Sequence, residues 1–482
     1  MTNSKKPRNS AIQYLSNSMK KLIVHPVEKI KAEITVPGDK SISHRAIMLG
    51  AIAKGETVVS NFLLSADCLA TIDCFRKMGV EIEIPDPGSM IPARKVVIKG
   101  KGLHGLKQPH STLYVGNSGT TIRLMTGILA GQSFDSVITG DESICHRPML
   151  RILSPLRGMG ASIEGENENK EIKIDEHTSV KGPFAPLRIA GTELKANNTP
   201  IGLKVASAQV KSAILLAGLY AKGMTSVAEH FQSRDHTERM LQEFGIKVIV
   251  KDIKNVVEEK EFLIKEIWIE GLHELAGTEI DVPGDISSAA FFMVAGAIVP
   301  NSEILIKNVG INPTRDGIID ILHRMGAGIE VVNERILSNE PRADIRCKGS
   351  KGQRAIGIKI DGEIIPKIID EIPIIAVLAT QAEGITEIRG ARELRVKESD
   401  RIKTVATELR KFGANIEELD DGLRITGPTK LKGAKIESYG DHRIAMAMAI
   451  AGLIAEGETE INNTECIETS FPGFAGILSK LR

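Results

Sequence analysis

A chain of 482 residues exceeds what one ordinary hydrophobic core supports and implies two or more domains. Its 62 Lys and Arg nearly cancel 61 Asp and Glu, so no global field draws it to nucleic acid or to an anionic membrane surface. Aromatic residues make up only 4%, which leaves no stacking platform for single-stranded nucleic acid, and no apolar run approaches the length of a membrane span.

Residues 1–27 are polar and basic (Lys5, Lys6, Arg8, Lys20, Lys21) and lack the apolar stretch of a secretory signal. They predict a flexible N-terminal extension and a cytoplasmic protein. The next stretch, Val36-Pro-Gly-Asp-Lys-Ser-Ile-Ser-His-Arg45, reads as an extended Val-Pro, a Gly-Asp turn and a helix through Ala46–Ala53, capped by Ser41 or Ser43. The same opening returns 246 residues later as Val282-Pro-Gly-Asp-Ile-Ser-Ser288, followed by the apolar Ala289–Val299, with Ile286 where the first copy has Lys40.

Between and beyond these copies two markers alternate. Met-Gly or Phe-Gly before a β-like run occurs at Gly79, Gly160, Gly245, Gly326 and Gly413, spaced 81, 85, 81 and 87 residues apart. Each glycine reads as the residue just past a helix end. Gly-x-[Thr/Ser] after an Ala-rich helix occurs at Gly55, Gly131, Gly223, Gly384 and Gly457, and survives without its glycine near Pro300-Asn-Ser302. Interleaved, they define six units of helix, strand, loop, helix, strand, strand. The sixth stops at Phe474–Arg482, so its last strands are either missing or supplied by the N-terminus. A solenoid is disfavoured because units of about 80 residues exceed the usual solenoid period and the 36/282 echo splits six into three plus three.

The first helix of each unit opens on polar residues and then turns apolar on every face, which predicts burial. Packed in parallel, such helices would aim their partially positive N-termini at one place. Lys40, Arg45, Arg123, Arg147, Lys211, Arg234, Lys397, Arg401 and Arg443 fall at these boundaries. For Arg123 and Lys211 a solvated surface charge competes equally with a place in a site. Arg401 and Arg443, each at a helix start, suit carboxylate or phosphate better. Asp370 and Glu398 are the carboxylates to watch, against the blander reading that a carboxylate at a helix start only caps it.

Other signals fail. Gly100-Lys-Gly-Leu-His-Gly105 matches a dinucleotide pattern, but no helix opens after it, and Asp39 stands where a P-loop needs glycine. Five scattered cysteines (Cys68, Cys74, Cys145, Cys347, Cys466) offer neither a zinc site nor a disulfide framework.

Five separated motifs, Pro37–Arg45, Gly116-Asn-Ser-Gly-Thr120, Ser207-Ala-Gln209, Leu394-Arg-Val-Lys-Glu-Ser-Asp-Arg401 and Asp441-His-Arg-Ile-Ala-Met446, resemble the EPSP synthase family of enolpyruvyl transferases, in order and from about residue 28 onward. The resemblance implies a two-domain α/β fold, an inside-out α/β barrel of six βαβαββ repeats, three per domain. Residues 28–38 with 284–482 would form one discontinuous domain and 39–283 an inserted one, with the site in the cleft between them. It implies transfer of the enolpyruvyl group of phosphoenolpyruvate to the 5-hydroxyl of shikimate 3-phosphate, in chorismate and aromatic amino acid biosynthesis. No metal or organic cofactor, nucleic acid or membrane is implied, and a monomer is expected.

Carried over by motif, Lys40, Ser41, Arg45, Ser207, Ala208, Gln209, Arg234, Asp370 and Lys397 hold shikimate 3-phosphate. Lys40, Gly119, Arg147, Gln209, Arg401 and Arg443 hold phosphoenolpyruvate, and Asp370, Glu398 and Lys40 serve catalysis. Ser470-Phe471-Pro472 departs from the many members with Lys before Phe-Pro, which is closer to the second bacterial class and means that one cation of the phosphoenolpyruvate site is either missing or replaced. The alternatives are a UDP-N-acetylglucosamine enolpyruvyl transferase and a non-catalytic phosphometabolite-binding paralogue. The former places a cysteine five residues before its Arg-Pro, where Glu142 stands here.

Overall fold

The computed structural model describes residues 12–15, 21–84, 95–168, 171–173, 179–197, 199–203, 205–257, 260–349 and 354–481. Six four-stranded sheets share one plan. In the second, Leu113–Tyr114 runs parallel to Ser136–Thr139, and Phe184–Ala190 and Ser162–Glu166 add antiparallel. In four of the six sheets a core helix links the two parallel strands. The six core helices are α1 (Lys40–Ile52), α2 (Gly119–Ala130), α3 (Ala208–Gly218), α4 (Ile286–Ile298), α5 (Ile372–Ala379) and α6 (His442–Gly452). They are buried as their sequences demand. Every residue of α4 from Ile286 to Gly296 is sequestered, because an all-apolar cylinder has no face to give to water.

The second helix of five units ends as the repeat marker requires. Gly79, Gly160, Gly245, Gly326 and Gly413 all adopt positive φ, between +74° and +93°. The residue after each donates back to the final helical turn, as Val80 N–H does to the Phe75 carbonyl at 3.1 Å. At the unit lacking its other glycine, Asn301 takes φ +54°, a conformation Asn tolerates.

The chain exchanges strands between its halves. Lys31–Thr35, which precedes α1, pairs parallel with Glu303–Gly310, and Glu279–Asp281, which precedes α4, pairs parallel with Lys54–Ser60. The two crossing segments clasp each other. Asp39 N–H donates to the Pro283 carbonyl at 2.8 Å, and Asp285 N–H to the Pro37 carbonyl at 2.9 Å. One hydrophobic core runs from Ile42 to Val282, and the other joins Leu22–Val36 to Ile286–Leu481.

The expected flexible extension over residues 1–27 needs correction. Lys21–Val24 is a strand, antiparallel to Thr459–Asn462, and Ile12–Leu15 pairs beyond it. Leu22 and Val24 are fully buried. The sixth sheet takes its last two strands from this N-terminal segment, which pairs the edge of Thr459–Asn462. Residues 1–11 and 16–20 lie outside the described residues.

Lys211 fits neither expectation held for it. It is buried in α3, 1% exposed, with its ammonium 2.8 Å from Glu229 and 2.6 Å from Glu238. Lys211→Met would strand two buried carboxylates and should cost about 3–5 kcal/mol of stability, read as a lower urea midpoint, with kcat per folded molecule unchanged. Among the described residues, no helix is long and apolar enough to cross a membrane.

Candidate active site

Five of the six core helices begin with a residue whose side chain takes a backbone N–H of the first turn: Asp39, Ser118, Ser207, Asp285 and Asp441. The first is a correction. Asp39 accepts from Ile42 N–H at 2.9 Å, whereas Ser43 Oγ accepts from Leu63 N–H, and neither Ser41 nor Ser43 caps α1. The exception is α5, which starts after Glu371 with no side-chain cap. Its carboxylates are spent elsewhere. Glu371 accepts from Ser287 Oγ, and Asp370 faces guanidinium groups.

Asp370 gathers cations from both halves. Arg234 Nη2 donates to it at 2.5 Å from the inserted half, Arg401 Nη1 at 3.3 Å, and Arg443 Nη2 stands 3.6 Å away. Burial alone would raise its pKa, but Arg443, Arg234, Lys397 and Arg401 overcome that and hold the carboxyl well below the usual range. Glu398 is in the same position. Arg401 Nη2 lies 2.6 Å from it and Arg147 Nη2, across the cleft, 3.9 Å. Burial would raise Glu398, yet Arg401 and Arg147 hold it well below the usual range. Arg401 is itself fixed by Asp441, Nε to Oδ2 at 2.8 Å, and is 1% exposed. His442 is buried between Lys40 and Arg443, and burial together with those charges keeps its imidazole neutral.

The remaining candidates are held by neighbours of their own. Lys40 pairs with Asp67 at 3.1 Å and Lys397 with Glu393 at 3.2 Å. Arg147 donates to Asn117 Oδ1 at 2.9 Å and Ser143 Oγ at 3.2 Å. Gln209 accepts from Arg123 Nη1 at 2.5 Å and donates to Thr120 Oγ1. Arg123 is therefore tied to Gln209 and half-buried rather than a free surface charge, and burial, then Arg147, brings its pKa down to about 10. Ser207, Ala208 and Ser41 sit half-exposed on the first turns of α3 and α1.

Arg45 stands apart. It is 4% exposed and spends its donors on neutral oxygens: Thr237 Oγ1 at 2.7 Å, Ser212 Oγ at 2.8 Å and the Ser41 carbonyl at 2.9 Å. Among the described residues no carboxylate comes within salt-bridge distance, and burial brings its pKa down to about 10. A buried cation without a counter-ion is costly unless a ligand supplies one.

Gly119 opens α2 against Arg147. A Cβ there would lie 2.9 Å from Arg147 Nη1 and 3.5 Å from Arg123 Nη1. Gly119→Ala should push the Arg147 guanidinium aside and raise about tenfold the KM of an anionic substrate held by Arg147, at a cost near 1.4 kcal/mol, with little change for a substrate held elsewhere. Steady-state kinetics with each substrate varied in turn checks the split.

A concavity of about 610 Å³ on the second sheet, lined by His110, Asp135, Glu164 and Arg188, lies apart from these residues. Sequence reasoning missed Asp67, Glu371 and Arg315. Asp is a favoured N-cap residue, a signal that points to Asp39 and Asp285 and that the expected cap at Ser41 or Ser43 overlooks. The departure at Ser470 falls just after the turn Thr464–Thr469, where its N–H donates to the Ile467 carbonyl at 3.1 Å.

Two halves of three repeats each, with cations from both converging on half-buried carboxylates, define a two-domain α/β enzyme of the enolpyruvyl transferase fold. Comparison with known proteins makes this specific. A family model described as EPSP synthase (3-phosphoshikimate 1-carboxyvinyltransferase) matches residues 24–478. The 3-phosphoshikimate 1-carboxyvinyltransferase of Desulforamulus reducens is 54% identical over 95% of this chain and 99% of its own length, and that of Brevibacillus brevis 53% over the same shares. The solved structure of EPSP synthase from Acinetobacter baumannii superposes with a TM-score of 0.79 at 46% identity, covering 96% of this chain and 99% of that one. The chain belongs to the EPSP synthase family.

Proposed function

We propose that this chain joins the 5-hydroxyl of shikimate 3-phosphate to C2 of phosphoenolpyruvate and then expels phosphate, giving 5-enolpyruvylshikimate 3-phosphate for aromatic amino acid biosynthesis. Family membership carries the reaction. The placement of Asp370, a helix-start carboxylate that caps nothing and is gripped from both halves, is the observation that supports the division of labour below.

Addition requires that the hydroxyl proton leave and that the methylene carbon gain one; elimination returns the second proton and protonates the departing phosphate. Asp370 accepts the hydroxyl proton, while Glu398 and Lys40 handle the proton at the methylene carbon. The surrounding cations hold both carboxyls well below their usual range, which weakens them as bases. Substrate anions relieve this. Phosphoenolpyruvate engages Lys40, Arg147, Gln209, Arg401 and Arg443 beside Gly119, and the shikimate phosphate draws Arg234 and Lys397. Each cation diverted from Asp370 or Glu398 lets its pKa climb toward the working range. Arg45 gains the counter-ion it lacks, with Lys40, Ser41, Gln209 and the free N–H groups at the start of α3 (Ser207, Ala208) completing the shikimate 3-phosphate site.

In this reading residues 21–38 with 284–481 form one domain and 39–283 the inserted one, which moves the expected boundary at 28 back to the buried strand at 21. A single chain contributes both faces of the cleft, so a cytoplasmic monomer suffices. Mixing the protein with shikimate 3-phosphate and phosphoenolpyruvate should release inorganic phosphate stoichiometric with product. Release only with UDP-N-acetylglucosamine would reassign the chain, and binding without release would make it a non-catalytic paralogue.

A further inference from the structure

Residues 311–316, between the strand Glu303–Gly310 and the helix Gly317–Arg324, grip the inserted half at two points. Arg315, 3% exposed, donates from Nη1 to Asp39 Oδ2 at 2.6 Å and from Nη2 to Ser287 Oγ at 2.6 Å. Ser287 donates in turn to Glu371, the neighbour of Asp370. Asn312 Nδ2 donates to Asp235 Oδ1 at 2.7 Å and to Glu340 Oε2 at 3.0 Å, while Glu340 Oε1 meets His236 Nδ1 at 2.7 Å. Asp39 immediately precedes Lys40, and Asp235 immediately follows Arg234.

Resting on the assignment of Lys40, Arg234 and Asp370 to the active site, we propose that Asn312 and Arg315 are positioning residues, a latch that sets Lys40 and Arg234 on the inserted half opposite Asp370 on the other. The two halves share only the crossing segments near 38 and 284 as covalent links, so their angle is set by non-covalent contacts at the cleft. The latch grips at the two backbone positions adjoining substrate cations, where a small rotation moves both cations together. Arg315 spends one arm of its guanidinium on Asp39 and the other on Ser287, so a lysine there keeps the charge and reaches only one partner. A purely structural alternative holds that Arg315 only neutralises Asp39 and Asp285 within the buried crossing. That alternative assigns no catalytic consequence to Asn312, which leaves the ion pair untouched.

The test combines small-angle scattering with kinetics on the full chain. In the wild type, saturating shikimate 3-phosphate should shrink the radius of gyration. Asn312→Ala and Arg315→Lys should each unfold cooperatively, fall short of that compact radius, and lose about a hundredfold in kcat, out of proportion to any rise in KM. Wild-type compaction in Asn312→Ala overturns the latch whether its kcat is retained or lost, as does absence of compaction in the wild type. If Arg315→Lys does not fold, Asn312→Ala alone carries the decision. Failure of the underlying site assignment is separate: a Lys40→Met protein that keeps its turnover refutes that assignment, whatever the scattering shows.

Discussion

Asp370→Asn should lower kcat on the order of 10³- to 10⁴-fold, close to the upper end of what a single positioned base contributes. A thousandfold corresponds to about 4 kcal/mol at the transition state. The amide keeps the shape and can still accept from Arg234, but it cannot take the 5-hydroxyl proton. Binding should respond in the opposite sense. Removing the charge leaves Arg234, Arg401 and Arg443 with one fewer counter-ion, so KM for the anionic substrates should stay level or fall. Arg401 retains Asp441 and Glu398, which keeps the helix starts anchored and the protein folded. A KM that rises in step with the loss of kcat would recast Asp370 as a binding residue.

Lys40→Met should cost on the order of 10³-fold in kcat/KM, spread over both substrates, because the proposed site has the ammonium engage both. The methionine stem packs much as the lysine stem does, and Asp67, whose side chain is 13% exposed, reaches enough solvent to tolerate losing its partner. Thermal unfolding should therefore change little. Asp67→Asn gives the control: it frees Lys40 without removing it, so it should cost far less than Lys40→Met. Near-wild-type turnover in Lys40→Met would refute the site. Circular dichroism separates both variants from misfolding.

The contrast between Lys40 and Ile286 explains why one of the two Val-Pro-Gly-Asp copies carries chemistry. Both segments cross between halves, and both Asp residues cap the helices that follow. Asp285 does more, accepting Lys40 N–H at 3.1 Å across the crossing. Ile286 turns into the core of its half, 2% exposed, whereas Lys40 keeps its ammonium in the cleft. Repetition preserved the backbone and left the side chain free to diverge.

Local features were readable from residue order alone. A helix apolar on every face must be buried, and a glycine between helix and strand supplies the positive φ that ends the helix, so six repeats and their core helices followed without knowledge of any contact. The Pro37–Arg45, Leu394–Arg401 and Asp441–Met446 motifs likewise placed Lys40, Arg401 and Arg443 at helix starts, where anions bind. What residue order could not decide was partnership. A strand's alternation says which face is buried and not which strand lies beside it, so the exchange of Lys31–Thr35 with Glu279–Asp281 and the capture of Lys21–Val24 by the sixth sheet emerged only in three dimensions. Charges obey the same limit. Lys211 is silenced by Glu229 and Glu238 and Arg315 by Asp39, 276 residues away, while Arg45 meets only neutral oxygens within hydrogen-bond distance among the described residues. A cation's value as a ligand site depends on which carboxylates folding brings to it, because Coulombic attraction acts through space and not along the chain.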